Sequence, residues 1–190
     1  MSSAREFRIA PATTRRRGLP PIGLSVVAPD CLDVTVIDSG ASALLFASEA
    51  DAAGKKIGVV EIDIFQANMI IDPDGALERA AEAAVAKCLS PPGAGAIRQR
   101  TRFELDDGAS GVRIEVVVTR DADGTPSTLP HLTVLALAPD DAAARGGLVA
   151  MVRSARPDWA AAETLFETLR VITRDAGAND NARVRLPYTR

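Results

Sequence analysis

Apolar and polar residues alternate along much of the chain, with the period of two that is typical of half-buried β-strands. In residues 57–65 the apolar side chains favour one side, while Glu61 and Asp63 share the other. Runs of this kind, bounded by Gly, Pro and Asp turns, predict strands at 22–28, 33–37, 43–47, 57–65, 97–105, 112–120, 129–137 and 148–152. Tight turns join the first four runs, which predicts an antiparallel meander.

Two segments have a helical period instead. Asp72 occupies an N-cap position and Pro73 the first helical position, and apolar residues at 77, 81, 84 and 88 share one face. The second helix is predicted over residues 157–172. Its wide apolar stripe consists of Trp159, Ala162, Leu165, Phe166, Leu169 and Ile172.

This order of elements predicts an α+β fold, an antiparallel sheet of about six to eight strands flanked by two or more helices. Residues 21–173 are expected to form one domain. Residues 1–20 mix Ser, Thr, Arg, Pro and Gly without a period, so we expect a flexible basic arm there, and a flexible tail over 174–190. Residues 66–71 are expected to form a connection whose apolar residues 69–71 pack under the sheet.

Composition narrows the function classes. The formal net charge of the 190-residue chain is −3, which argues against a general nucleic-acid binder. The first 20 residues hold five Arg against Glu6, so a nucleic-acid role for this arm stays open as a weaker alternative. Neither a secretory signal nor a membrane span is visible, and Cys31 and Cys88 show no metal spacing. We therefore expect a cytoplasmic, bacterial protein with buried free thiols.

Catalytic and metal signatures are weak. His131 is the only histidine, which excludes metal sites with two or three His in one chain. The sequence contains no G-x-S-x-G elbow, P-loop or G-x-G-x-x-G loop. Residues 121–124 share two Asp with the start of a calcium loop but lack its later ligands, so they indicate a turn. We expect no catalytic residue, no metal and no cofactor.

Charged residues on two predicted strands are the candidates for binding. Glu61 and Asp63 point the same way, and on a sheet covered on one face only they would face solvent. If helices covered both faces, the two carboxylates would instead border a groove for a cationic partner. Arg98, Arg100 and Arg102 alternate along another strand, where they are predicted to pair with these carboxylates or with an acidic partner.

Two stretches carry a resemblance to a known fold. An apolar strand enters Pro29-Asp30, and a closing helix contains Leu165-Phe166-Glu167-Thr168-Leu169. Over about residues 22–172 the chain resembles the PsbP-like group, whose strand enters a Pro-(Asp/Glu)-Gly-Trp turn and whose last helix carries a central Phe. This chain has Cys31-Leu32 where the group often has Gly-Trp. The resemblance implies an αβα sandwich and a binding or assembly role, and it transfers no site residues.

Two functional hypotheses remain. The first is a non-enzymatic binding or assembly module that acts through a protein partner or self-association, using an exposed sheet face or the groove beside the last helix. The alternative is a small hydrolase or transferase that uses His131 with a nearby carboxylate.

Overall fold

The computed structural model describes residues 4–37, 42–67, 72–89, 93–141 and 145–174. Within these ranges the chain forms ten strands and three helices. In chain order they are β1 (Ala4–Ile9), α1 (Pro11–Arg16), β2 (Gly23–Pro29), β3 (Asp33–Val36), β4 (Ala43–Ala50), β5 (Lys56–Gln66), α2 (Pro73–Cys88), β6 (Gly95–Glu104), β7 (Ser110–Val118), β8 (His131–Ala138), β9 (Gly146–Ser154), α3 (Ala160–Thr168) and β10 (Arg170–Ile172).

Seven strands form one sheet in the order β3-β4-β5-β9-β8-β7-β6. Two meanders, β3-β4-β5 and β6-β7-β8-β9, meet where β5 pairs antiparallel with β9. Because alternate residues of a strand point to opposite faces, Glu61 and Asp63 lie on the side covered by α2, whereas Ile62 and Ile64 face the other layer. The predicted α+β architecture with a main antiparallel sheet is confirmed.

A second, three-stranded sheet has the order β1-β2-β10. The prediction that β2 belongs to the meander is therefore wrong, since β2 pairs antiparallel with β1 and β10. Leu24 and Val26 of β2 are buried between the two sheets. The alternation in residues 22–28 identifies a strand, but its partners are remote in sequence, so local pattern does not reveal which sheet it joins.

The first 20 residues correct another prediction. Where a flexible arm is expected, β1 pairs with β2 from Ala4 to Ile9, and α1 follows. Pro11 is tolerated because it opens α1, where no backbone donor is needed. Arg17 donates to the carbonyls of Ile37 at 3.0 Å and Ala43 at 2.9 Å, which fastens the segment to the β3–β4 hairpin. Scattered apolar residues here are buried by long-range pairing, which no local period indicates.

Helix α2 covers one face of the seven-stranded sheet. The Asp72 side chain accepts a hydrogen bond from the Gly75 amide at 2.9 Å, which confirms the predicted N-cap. Leu77 and Ala81 are buried against apolar residues of β7, β8 and β9. Fully burying a leucine side chain stabilises the fold by roughly 1.5–3 kcal/mol, so this contact accounts for much of the docking of α2.

The opposite face of the sheet is covered by the three-stranded sheet and α3. Helix α3 ends at Thr168, so the predicted helix over 157–172 is too long. The Thr168 hydroxyl donates to the Val27 carbonyl and accepts from the Val27 amide at 3.0 Å, and the chain then continues as β10 beside β2. Pairing with a remote strand thus overrides the local helical period of residues 169–172.

This second layer does not cover the whole sheet. Its buried core includes residues of β4, β5, β8 and β9, whereas β6 and β7 contribute only the partly buried Phe103 among the described residues. The β6–β7 side of this face therefore remains accessible next to α3. Two predictions, the packing of residues 69–71 and the flexibility of residues 175–190, lie outside the described residues.

Candidate functional site

Glu61 and Asp63, the predicted cation-binding pair, lie beneath the end of α2. Lys87 Nζ donates to Glu61 Oε1 at 2.8 Å and to Asp63 Oδ2 at 3.1 Å. The Asp63 side chain is only 9% exposed, while that of Lys87 is 55% exposed. The cation that these carboxylates bind is thus supplied by the chain itself, and the contact fastens α2 to β5.

Burial controls the ionisation of this cluster. Burial raises the pKa of Asp63, the Lys87 hydrogen bond opposes this shift, and the Glu61 charge adds to it. For Lys87 burial alone would lower the pKa, but hydrogen bonds to Glu61 and Asp63 outweigh it and raise the pKa. Asp63 Oδ1 is buried and receives no hydrogen bond from the described part of the chain. Among the ion pairs of the described residues, only that of Lys87 with Asp63 contains a carboxylate largely removed from water.

Arg100 and Arg102 bind acidic residues of α2. Arg100 lies 2.7 Å from Glu82, and Arg102 lies 2.8 Å from Glu78 and 3.0 Å from Asp74. The predicted pairing of these arginines with Glu61 and Asp63 is not formed within the described ranges. All these side chains are at least one-third exposed, so solvent screens each pair and the pairs add little to stability.

Arg98 is separated from the other two arginines by a register shift. The pairing of β6 with β7 is irregular between Ile97 and Gln99, which makes Arg98 an extra residue in the strand. Arg98 consequently lines a cleft on the α3 side together with Glu115 and His131, whereas Arg100 and Arg102 face α2. The prediction that the three arginines share one face is wrong, and the binding role of all five predicted residues stays a prediction.

The accessible side of the sheet beside α3 contains an apolar cavity of about 230 Å³. Leu135 and Leu137 of β8 form its floor. Phe103 of β6 lies over Gly111, where a Cβ atom would collide with the ring. We call this cavity and the adjoining polar cleft the α3 groove; its apolar part is lined by Phe103, Leu105, Leu135, Leu137 and Phe166, with Arg113, Glu163 and Glu167 among its charged residues.

Arg113 lies where the apolar and polar parts of the α3 groove meet. Its guanidinium is 5.4 Å from the centre of the Phe166 ring, a cation–π distance. Its Nη2 is 3.4 Å from Glu163, and its Nε is 3.1 Å from Glu115. The Nε is buried and has no hydrogen-bond partner among the described residues, so the contact with Glu115 is an ion pair without a hydrogen bond. Arg113 thus already balances negative charge within the groove.

The polar part of the α3 groove is a narrow cleft of about 60 Å³. His131 lines it with Glu115 and Ser154, among others. The Ser154 hydroxyl donates to the Arg156 carbonyl at 2.6 Å, so its proton is engaged within the chain. His131 is half-buried, and its imidazole forms no hydrogen bond or ion pair with another described residue.

Sequence reasoning missed most of the α3 groove. Phe166 is recognised only as part of the helical core stripe, and Arg113 only as a polar residue on an alternating strand. A usable signal exists, because Arg113 and Glu115 alternate with the apolar Val112 and Ile114, and this places a charged pair on the face opposite α2. The position of α3 against that face follows only from tertiary packing.

The metal, turn, thiol and membrane predictions concern other parts of the chain. The described residues contain no group of three or more His, Cys, Asp or Glu arranged to hold a metal ion. Residues 121–124 form a turn in which the Gly124 amide donates to the Asp121 carbonyl at 2.9 Å. Cys88 is half-buried, but Cys31 is exposed, so the expectation of two buried thiols is wrong. Among the described helices, none combines the length and apolar character needed to cross a membrane.

The architecture is similar to the solution structure of cyanobacterial PsbP (CyanoP) from Synechocystis sp. PCC 6803. The sequences are 12% identical, the match covers 90% of this chain and 94% of that chain, and the TM-score is 0.54. Comparisons with protein-family models and with curated proteins found no match. The similarity shows that this chain has a PsbP-like fold, as the sequence resemblance predicts, and at this identity it speaks to the fold alone.

Proposed function

We propose that the protein is a non-enzymatic binding module that captures a protein partner in the α3 groove. The observation that carries this proposal is the apolar cavity between Phe103 and Phe166, on the part of the sheet face that the second layer leaves accessible. Apolar concavities with a charged rim are the places where partner side chains gain most from leaving water. Arg98, one of the predicted binding residues, borders the same groove.

Within the α3 groove, cavity size favours a binding module over an enzyme. Pockets for small-molecule substrates and cofactors usually enclose about 300–1,000 Å³. The cleft next to His131 measures about 60 Å³, too small for most organic substrates. The larger of the two groove cavities is lined mostly by Leu and Phe with few groups suited to acid–base chemistry, so it supports binding rather than turnover. A bigger depression of about 360 Å³ lies outside the groove, beside Asp107 and Thr173.

Phe166→Ala tests the proposal. Phe166 is partly buried and forms one wall of the cavity, so its truncation removes partner contacts while most of the core stays intact. A matched control is Ile97→Ala, which removes an exposed apolar side chain from β6 on the α2 side. We expect affinity capture from the host cell to lose one or more proteins with Phe166→Ala and to keep them with Ile97→Ala. Identical capture profiles for wild type and Phe166→Ala would contradict the proposal.

The second candidate function is a hydrolase or transferase, supported by the presence of His131 and Glu115 in one cleft. An imidazole near a carboxylate is a common arrangement for proton transfer. If this function is correct, His131→Ala abolishes turnover and leaves the thermal midpoint almost unchanged. A large drop in the midpoint, without any activity in a broad esterase and phosphatase screen, would instead assign His131 a structural role.

The expected compartment is also a proposal. We place the protein in the bacterial cytoplasm, as the sequence predicts, and fractionation of host cells with an antibody to this chain tests it. Recovery in the periplasmic or membrane fraction would contradict the assignment.

A further inference from the structure

The volume of the α3 groove limits what it can hold. At about 230 Å³ the cavity is smaller than typical small-molecule pockets, but it is large enough for one or two apolar side chains. Single buried side chains of this kind often dominate the energy of protein–protein interfaces. The cavity is therefore suited to an apolar anchor that projects from a partner protein.

Two walls of the cavity are held in place before any partner binds. The Phe103 ring is packed over Gly111, and Leu135 and Leu137 belong to a central strand and are buried. Phe166 is held on α3 and contacts the Arg113 guanidinium through its ring. A preformed cavity spares a ligand the entropy of ordering these side chains, which favours capture of a short, exposed segment.

The charged residues at the rim of the cavity determine which partner side chain fits next to the apolar anchor. Arg113 is balanced by Glu115 and Glu163 within the chain. Glu167 is exposed, one turn beyond Glu163 on α3, and its carboxylate forms no ion pair with another described residue. The cavity lining thus carries two carboxylates against one guanidinium, so its net charge is negative.

From these features we infer that the α3 groove recognises a segment of a partner protein in which an apolar side chain stands next to Lys or Arg. The apolar side chain enters the cavity between Phe103 and Phe166, and the basic group contacts Glu163 and Glu167 at its rim. An acidic neighbour at this rim would face Glu167 and would have to displace Glu163 from Arg113, because the other guanidinium of the groove, that of Arg98, lines the polar cleft and not the cavity. This inference rests on the proposed function and adds the chemistry of the partner.

A library of random 12-residue peptides displayed on phage tests the inference. Selection is carried out on the wild-type protein, on Phe166→Ala and on the double variant Glu163→Gln/Glu167→Gln. The control is Glu78→Gln/Glu82→Gln, which makes the same charge change at the same helical spacing, but on α2 at the opposite face of the sheet. Circular dichroism confirms that each variant is folded.

We expect wild-type and control proteins to select peptides with an apolar residue next to Lys or Arg. The Glu163/Glu167 variant should bind synthetic copies of these peptides roughly fivefold more weakly and should lose the basic preference, since ion pairs at a solvent-exposed rim each add only modest affinity. Peptides that require Phe166 but show no basic preference, or a preference that survives in the Glu163/Glu167 variant, would overturn this inference and leave the proposed function standing. If no selected peptide depends on Phe166, the proposed function fails and the inference fails with it.

Discussion

Replacing Lys87 by Met tests how the buried carboxylate of Asp63 is held. The side chain of Met has nearly the length of Lys but carries no charge, so packing along the end of α2 is largely kept. The change leaves Asp63, whose side chain is 9% exposed, without the ammonium that now lies 3.1 Å away. Because Asp63 Oδ1 already receives no hydrogen bond from a described residue, neither carboxylate oxygen would have a described partner.

The expected loss is about 2 kcal/mol of unfolding free energy at pH 7. A charge pair at this distance is worth about 5 kcal/mol before solvation is considered, at an effective dielectric constant of about 20. Breaking a fully buried pair typically destabilises a protein by about 3–5 kcal/mol. Lys87 is 55% exposed, so solvent screening reduces the loss below that range.

The loss should depend on pH with a definite sign. Burial raises the folded-state pKa of Asp63 above its unfolded value, so the protonated form is favoured in the folded state. The contribution of this shift to stability is full below the unfolded pKa, about 4, and is lost as pH rises through the folded pKa. Without Lys87 the folded pKa rises further, so the difference between Lys87→Met and wild type should shrink as pH falls from 7 toward 4.

Urea denaturation followed by the fluorescence of Trp159, the only tryptophan, measures these changes. Arg79→Met is the matched control on α2, because the Arg79–Asp72 pair is exposed and screened by solvent, so its loss should change stability far less than the loss of Lys87 does. Adding Asp63→Asn to Lys87→Met should recover at least half of the loss. Equal stability of the Lys87→Met and Arg79→Met proteins, or no recovery in the double variant, would refute this reasoning.

Two further predictions concern contacts that hold loops and layers together. Arg153 Nη2 donates to Asp121 at 2.7 Å and to Ser127 at 2.8 Å, and the Arg153 hydrogen bond is the largest cause of the lowered pKa of Asp121. Arg153→Met should lower the free energy of unfolding by about 1–2 kcal/mol at pH 7 and raise the pKa of Asp121 in an NMR titration. In the wild type, the lowered pKa of Asp121 stabilises the fold above about pH 4, and this stabilisation is lost as pH falls through the folded pKa. In the variant this pH-dependent part of the stability should largely vanish. An unshifted Asp121 titration would contradict this. The Trp159 ring leaves no room for a Cβ atom at Gly58, so Gly58→Ala should displace the ring. We expect the free energy of unfolding to fall by about 1–3 kcal/mol and the Trp159 emission to shift to the red. Emission and stability equal to those of the wild type would show that the ring does not pack against Gly58.

The main sheet is the part of the fold that the sequence predicts well. Its strands alternate strongly, as in residues 57–65, and are separated by turns rich in Asp and Gly, so the strands and the antiparallel pairing of chain neighbours follow from local pattern. The pairing of β5 with β9, which joins the two meanders, is long-range and does not follow from it. Helix α2 begins at the predicted N-cap, because Asp72 and Pro73 are both start signals. Local chemistry decides these elements, and local chemistry is visible in one sequence.

The three-stranded sheet could not be predicted in the same way. Residues 170–172 continue the helical period of α3, yet they form β10 because β2 offers a free edge there. Residues 4–9 lack a clear pattern and become β1 on the other edge of the same strand. Such pairings depend on contacts between residues more than a hundred positions apart or on a weakly patterned terminus, and neither is encoded in a local period.

In the candidate site, too, local features are predicted from the sequence and long-range contacts are not. Glu61 and Asp63 are correctly predicted to point the same way, but their cation comes from α2 and not from a partner. The arginines of β6 are divided between two faces by an irregularity at Arg98 that no turn residue announces. The α3 groove depends on how far the second layer extends over the sheet, which is a property of tertiary packing.

Site-specific photocrosslinking tests the central claim, that a protein partner is captured in the α3 groove, most directly. Phe103 and Ile97 lie on the same edge strand, but Phe103 lines the groove while Ile97 is exposed on the α2 side. The photoreactive amino acid p-benzoylphenylalanine would replace each residue in turn in the host cell, followed by irradiation. We predict a discrete crosslinked partner from position 103 and none from position 97. The same crosslinks from both positions, or a partner from position 97 alone, would contradict capture in the groove.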